Sequence, residues 1–187
     1  MSSSVFSTSS SVSGGLAKVA LTAALEQAVA DSNVRAIILT GKGDHFCAGG
    51  DLAWMRRAAD YSLSENEQDA LKLAHMLEAI AHCSAFVLAK VHGPAFGGGC
   101  GLVCACDYVV ASDQALFAFS EVRLGLVPAT ISPYAVEKIG AGNARAFFMT
   151  GKSFDAGTAL RLGLVHEVVK PEPVSYTHLT LPTILRV

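Results

Sequence analysis

Apolar positions along this chain alternate between helical spacing and short unbroken runs. Between residues 16 and 30, Ala20, Leu21, Ala24, Leu25 and Ala28 recur three and four apart, with Lys18, Glu26 and Gln27 set largely elsewhere. That spacing predicts an amphipathic helix, broken by Asp31-Ser32-Asn33. Residues 67–81 repeat it, with Leu71, Ala74, Leu77 and Ile80 as the stripe. Residues 34–40 and 86–91 are instead nearly continuous apolar runs, the pattern of strands buried on both faces. Each run ends in glycine-rich sequence, leading to a short helix over 51–59 and a helix of small residues over 98–106. The polar stretch 60–66 reads as a loop or lid.

Residues 107–111 and 115–119 read as short strands. Ser132-Pro133 is a helix start, with serine at the cap and proline at the first helical position. The helix over 134–139 is stopped by Gly140; further short helices fall at 143–149 and at 156–162, the latter stopped by Gly163. A last strand follows at 165–169. Strands alternating with helices predict an α/β fold with a largely parallel sheet.

A single core domain is expected over 16–170. Residues 1–15 are Ser-rich, with no basic or long apolar stretch, and read as a disordered or non-native leader rather than a secretory signal. Residues 171–187 are expected to be a non-native or disordered tail, because 173–187 turn Thr- and Pro-rich with no helical period.

Composition narrows the function classes. The 187 residues are 51% hydrophobic and only 16% charged, which suggests extensive burial, including between subunits. A net charge of −2 argues against a nucleic-acid partner. No apolar run approaches the ~20 residues that span a bilayer, so no membrane partner is expected. The five cysteines form no C-x-x-C pair. Cys100, Cys104 and Cys106 read as buried free thiols rather than metal ligands, which fits a reducing, cytoplasmic setting. His45, His75, His82 and His92 lack metal-ligand spacing, so no metal is expected.

The chemistry is concentrated in the glycine segments. The first runs from Gly41 through Phe46-Cys47-Ala48-Gly49-Gly50-Asp51, the second is His92-Gly93-Pro94-Ala95-Phe96-Gly97-Gly98-Gly99-Cys100-Gly101. Glycine lets the main chain approach a ligand closely. Two such turns, facing each other, aim two peptide N–H groups at one oxygen, the arrangement that stabilises an oxyanion on an acyl carbonyl. Competing motifs fail on detail. Thr150-Gly151-Lys152-Ser153 lacks the upstream glycine of a phosphate-binding loop, since Ala146 stands there, and Gly97-Gly98-Gly99 is not a dinucleotide fingerprint.

Together with Cys106-Asp107, with 119–128 (FSEVRLGLVP) and with the ending from Thr150 to Val165, these segments closely resemble the crotonase superfamily, the enoyl-CoA hydratase/isomerase family. Ser120-Glu121-Val122-Arg123-Leu124-Gly125 followed by 129–134 (ATISPY) is most similar to bacterial methylglutaconyl-CoA hydratase-like members. The resemblance covers about residues 16–170. It implies a crotonase-like ββα spiral, homotrimers or hexamers in the full-length form, an acyl-CoA thioester as partner, and no cofactor beyond the coenzyme A of the substrate. It also implies a chain shortened at both ends relative to typical members.

By resemblance, Gly98 supplies one oxyanion amide and the 48–50 turn the other, from Ala48 or Gly50, with Gly50 preferred. Glu121 matches the family's acid–base glutamate, and apolar neighbours at Phe117, Phe119, Val122 and Leu124 are expected to raise its pKa. Substrate contacts are expected at Ala48, Gly49, Asp51, Leu52, Gly97, Gly101 and Arg123. Asp51 also suits the cap of the following helix, and Arg123 equally suits a salt bridge. Arg56 and Arg57 read as CoA-phosphate contacts or a solvated face. Met55 and 71–77 read as acyl-pocket lining or core. Gly101 stands where two-glutamate hydratases carry a second carboxylate. The expected activity is therefore a hydro-lyase acting on an α,β-unsaturated acyl-CoA, with a one-glutamate double-bond isomerase or an inert acyl-CoA-binding member as alternatives.

Overall fold

The computed structural model describes residues 2–8, 15–50 and 52–170. Five parallel strands form the main sheet, in the order β1 (Ser2–Thr8), β2 (Val34–Gly41), β3 (Phe86–Val91), β5 (Tyr108–Ser112), β8 (Glu167–Val169). A second sheet has three short strands in the order β4 (Ala95–Phe96), β6 (Leu116–Ala118), β7 (Phe154–Asp155). β4 runs parallel to β6, and β7 antiparallel to it.

β3 and β5 are buried on both faces, Leu88 and Val110 on one and their alternate neighbours on the other, while β2 is buried on one face and only half-buried at Ala36 and Ile38 on the other. Ile37, Leu39, Val87, Ala89, Val91, Val109 and Ala111 are all essentially inaccessible. Around them lie α1 (Gly15–Ala30), α2 (Leu52–Ala58), α3 (Leu63–Ala81), α4 (Gly98–Ala105), α5 (Ser132–Thr150) and α6 (Ala156–Arg161). From Gly99 to Ala105, α4 is buried at every position, which explains why it is apolar all round.

Several expectations need correction. Residues 2–8, within the leader expected to be disordered or non-native, are ordered as β1, paired along β2 from Ser3↔Ala36 to Thr8↔Gly41. A buried strand like β2 would otherwise present a free row of N–H and C=O groups on that side. The rest of the expected leader and the 171–187 tail lie outside the described residues, apart from Gly15, which opens α1. The expected loop at 60–66 contains the start of α3. Ser62 caps it, and the Glu65 carboxylate accepts from the Ser62 N–H at 2.8 Å while Ser62 Oγ accepts from the Glu65 N–H.

Of the α1 stripe, Leu21, Leu25 and Ala28 are buried but Ala20 is exposed, and Lys18, expected on the polar side, is 2% exposed. Leu71 of the α3 stripe is also exposed, and Met76 takes an inner position instead. The expected helices at 134–139 and 143–149 join as α5, kinked where Gly140 adopts φ 75°. Its cap is Ile131, one residue before the expected serine. β4 and β7 are too short to leave a period in the sequence.

Candidate active site

The first glycine turn leaves the carboxyl end of β2 and the second leaves that of β3, so the parallel sheet puts both at one edge. Ligands of parallel α/β sheets gather at that edge. Main-chain bonds then join the two turns. The Cys47 N–H donates to the Pro94 carbonyl at 3.1 Å, and the Phe96 N–H donates to the Cys47 carbonyl at 2.9 Å. A His92 ring nitrogen contacts the Gly43 carbonyl at 2.8 Å, which makes this histidine a tether between the same two loops. A Cβ at Gly99 would stand 2.8 Å from the Cys47 Cβ, so the close approach depends on glycine there.

The second sheet brings in the acid. The Gly97 N–H donates to the Ala118 carbonyl at 2.8 Å, joining the second turn to the end of β6. The chain then enters a 3₁₀ turn over Glu121–Leu124. Gly97 adopts φ 52°, a left-handed conformation that a side chain would strain. A Cβ on it would lie 3.4 Å from Glu121 Oε1 and 3.4 Å from Ser120 Oγ. The Glu121 carboxylate therefore lies against the residue that caps α4, next to Gly98.

Glu121 Oε2 is buried and has no hydrogen-bond partner. Burial lifts the carboxyl above its usual range, because the charged form loses water without gaining a counter-charge. Phe117 and Phe119 are fully buried, and Phe119 packs edge-on against Phe148 at 5.0 Å between centroids. Val122 and Leu124, expected as further shielding, are 37% and 55% exposed.

The first turn of α4 leaves main-chain N–H groups without an intrahelical acceptor, and the helix dipole adds positive potential there. The first intrahelical bond runs from the Gly101 N–H to the Gly97 carbonyl, 3.2 Å. Beyond its chain neighbours and the backbone of its own helix, no heavy atom lies within 4 Å of the Cβ direction at Gly98, so the space over this residue is open. Across the joint, Ala48 is exposed, Gly49 adopts φ 94° beside the Phe96 carbonyl, and Gly50 is covered by Met55 of α2. The capping role expected for Asp51 and the side chain of Leu52 lie outside the described residues.

Two of the expected contact residues have partners within the protein. Gly101, expected at the substrate, is buried, with Ile131 filling its Cβ direction and Leu77 Cδ2 3.7 Å away. Arg123, expected on substrate or on Glu121, donates from Nη2 to the Gly151 carbonyl at 2.6 Å and ties the 3₁₀ turn to the end of α5. That carbonyl belongs to a helix C-terminus, where a cation is favoured. Both assignments needed the position of α5, which is remote in sequence. Arg56 and Arg57 are exposed at the end of α2.

Four of the five cysteines are buried, Cys83 is half-buried, and all are free thiols. The Cys100 thiol donates to the Ala95 carbonyl at 3.0 Å; burial pushes it well up and pushes Cys104 to about 12, so neither ionises near neutrality. No cluster suited to a metal occurs among the described residues. A shallow hollow lined by Arg35, Cys83, Phe86 and Asp107 lies at the opposite, amino ends of β2 and β3.

A parallel-sheet α/β fold with two joined glycine turns and a half-buried glutamate set against the second defines a crotonase-type protein. The enoyl-CoA hydratase/isomerase family model matches residues 17–185, and the chain belongs to that family. A Legionella pneumophila structure assigned as an enoyl-CoA hydratase/isomerase (crotonase) superposes with a TM-score of 0.83 at 43% identity, covering 84% of this chain and 61% of that one. The crotonyl-CoA hydratase of Syntrophomonas wolfei is 35% identical over 144 residues, 76% of this chain and 54% of the relative. A mitochondrial Δ3,5-Δ2,4-dienoyl-CoA isomerase of Dictyostelium discoideum is 34% identical over 147 residues, 74% of this chain and 50% of the relative. The chain spans 45–60% of the length of the first curated relatives it matches.

Proposed function

We propose that this chain carries the reaction centre of a hydro-lyase that adds water across the double bond of an α,β-unsaturated acyl-CoA thioester. The observation that carries the reading is Glu121 Oε2, buried without a hydrogen-bond partner on a carboxylate set against the cap of α4, beside the open space over Gly98. The thioester oxygen sits between the Gly98 N–H and one main-chain N–H of the 48–50 turn. Glu121 takes a proton from water as the water oxygen bonds to Cβ. The electron pair of the double bond moves toward the carbonyl, and the two amides hold the resulting enolate oxygen. Glu121 then returns the proton to Cα, so that one water is added in all. Its raised pKa suits a group that must accept and then donate within one cycle. Losing one such amide donor typically costs about 10²–10³ in rate.

Coenzyme A enters as part of the substrate and the reaction asks for no other cofactor. Methylglutaconyl-CoA is the substrate we favour, on the similarity of 120–125 and 129–134. The exposed apolar side chains of Leu124, Leu126 and Val127 offer a self-association surface for a trimer or hexamer. We place the activity in the cytoplasm; among the described residues no helix is long and apolar enough to cross a membrane.

A second reading is favoured by Ile131 closing the space at Gly101. With no carboxylate at that position, the same Glu121 can instead move one proton between two carbons of the acyl chain, an isomerisation without water. Loss of enoyl-thioester absorbance on crotonyl- and methylglutaconyl-CoA, set beside double-bond migration in a 3-enoyl-CoA, separates the two readings. Glu121→Gln is expected to lower either rate by about 10²–10⁴ while acyl-CoA still binds. Hydration and migration both surviving that change would remove Glu121 from the mechanism.

A further inference from the structure

Trp54 is the only tryptophan of the chain and sits in α2, the helix that follows the first glycine turn. Its indole Nε1 is buried without a hydrogen-bond partner. An unpaired buried N–H opposes that pose, so another contact must hold the ring. Lys18 of α1 supplies it, with Nζ 4.8 Å from the ring centroid. Lys18 is itself buried, and an ammonium at that depth requires an anion. Asp69 of α3 provides one. Lys18 Nζ donates to Asp69 Oδ2 at 2.7 Å and lies 3.4 Å from the Asp69 carbonyl. Three helices therefore meet at one cation: α1 carries it, α3 neutralises it, and α2 rests on it through an aromatic face.

A buried ion pair adds little net stability over apolar packing of the same volume, but it is specific about geometry. Here the geometry reaches the proposed site. The neighbour of Trp54, Met55, covers Gly50, with Sδ 3.4 Å and Cγ 3.5 Å from where a Cβ there would stand. The amino side of the turn is already pinned by the main-chain bonds of Cys47. On its carboxyl side α2 begins at Leu52, two residues past Gly50.

We propose that Lys18 is a positioning residue: by holding the ring of Trp54 it fixes α2, and through α2 the 47–50 turn that presents the first oxyanion amide. This rests on the hydratase/isomerase reading for its catalytic consequence, though not for its structural one. A misplacement of about 1 Å at a reacting group can cost about 10²-fold in rate.

The test compares the 187-residue chain with Lys18→Met/Asp69→Leu, which removes both charges at similar volume, and with Lys18→Arg, which keeps a cation on the ring. Turnover of crotonyl-CoA, hydrogen–deuterium exchange and Trp54 fluorescence are read on each. In the double variant, kcat is expected to fall about 10- to 100-fold with KM nearly unchanged. Exchange is expected to quicken at 47–58 but not in α1 or α3, the fluorescence to shift, and the melting temperature to hold. Lys18→Arg is expected to restore most of kcat. Unchanged kcat and unchanged exchange at 47–58 would overturn the proposal, as would general loosening of α1 and α3 with a lower melting temperature. Should the parent chain turn over no enoyl thioester, the hydratase/isomerase reading fails, and exchange at 47–58 still decides whether Lys18 holds the turn.

Discussion

Gly98 and Gly101 sit three residues apart on the same helix, yet they are glycine for opposite reasons. A methyl at Gly98 would meet no heavy atom within 4 Å; a methyl at Gly101 would run into Ile131, whose Cβ is 3.0 Å from that point. The first glycine leaves free space at the start of α4, next to the Gly97 cap that Glu121 lies against. The second lets α5 close down on α4. Identical residues in one glycine-rich segment thus divide between chemistry and packing, and the division follows the part of the molecule each one faces.

Replacing each by alanine tests this contrast. Gly98→Ala is expected to leave the melting temperature unchanged or slightly raised, since the space is free and alanine suits a helix better. Activity on enoyl thioesters is expected to fall about 10²-fold if the methyl crowds an acyl group bound to the Gly98 amide. A variant with full activity would show that the acyl thioester does not dock in the space over Gly98. Gly101→Ala should do the reverse, destabilising by about 1–3 kcal/mol through overpacking, read by urea or thermal unfolding. Ile131→Leu moves the branch away from Gly101 at constant volume, so the pair of changes is expected to cost less than their sum.

The smallest effect is a control at the other end of the sheet. His166 Nδ1 accepts from the Val109 N–H at 3.0 Å, and its ring stacks on Tyr108 at 4.6 Å. Partial burial, assisted by the charge of Lys138, holds its pKa below the usual value. The folded state therefore binds this proton less tightly than the unfolded chain. The stability from His166 is present above the unfolded pKa of about 6.5 and is lost as pH falls from there through the lower folded value. Because the ring is largely exposed, a loss of roughly a few tenths of a kcal/mol is expected. His166→Gln should flatten that pH dependence of the melting temperature, and neither glycine replacement should alter it.

Some unread features had a visible signal. Ser62 and Glu65 carry a capping-box spacing, and attention to it would have moved the start of α3 into the expected lid. Others had none. Nothing near Lys18 announces that it is buried, because its partners Trp54 and Asp69 lie on other helices. Arg123 next to Glu121 looks like a substrate contact until the carbonyl of Gly151 is brought beneath its guanidinium.

Local order was written in the chain itself. Unbroken apolar runs dictated β2 and β3, glycine at their ends dictated tight turns, and motif order dictated the family, because backbone geometry and burial pattern respond to neighbouring residues. Which groups meet across those elements was decided only by the tertiary structure. Ile131 over Gly101, the Gly151 carbonyl for Arg123, and the cation of Lys18 on the ring of Trp54 all join residues far apart in sequence. Such contacts arise from how helices pack against the sheet, and no spacing along one element encodes them.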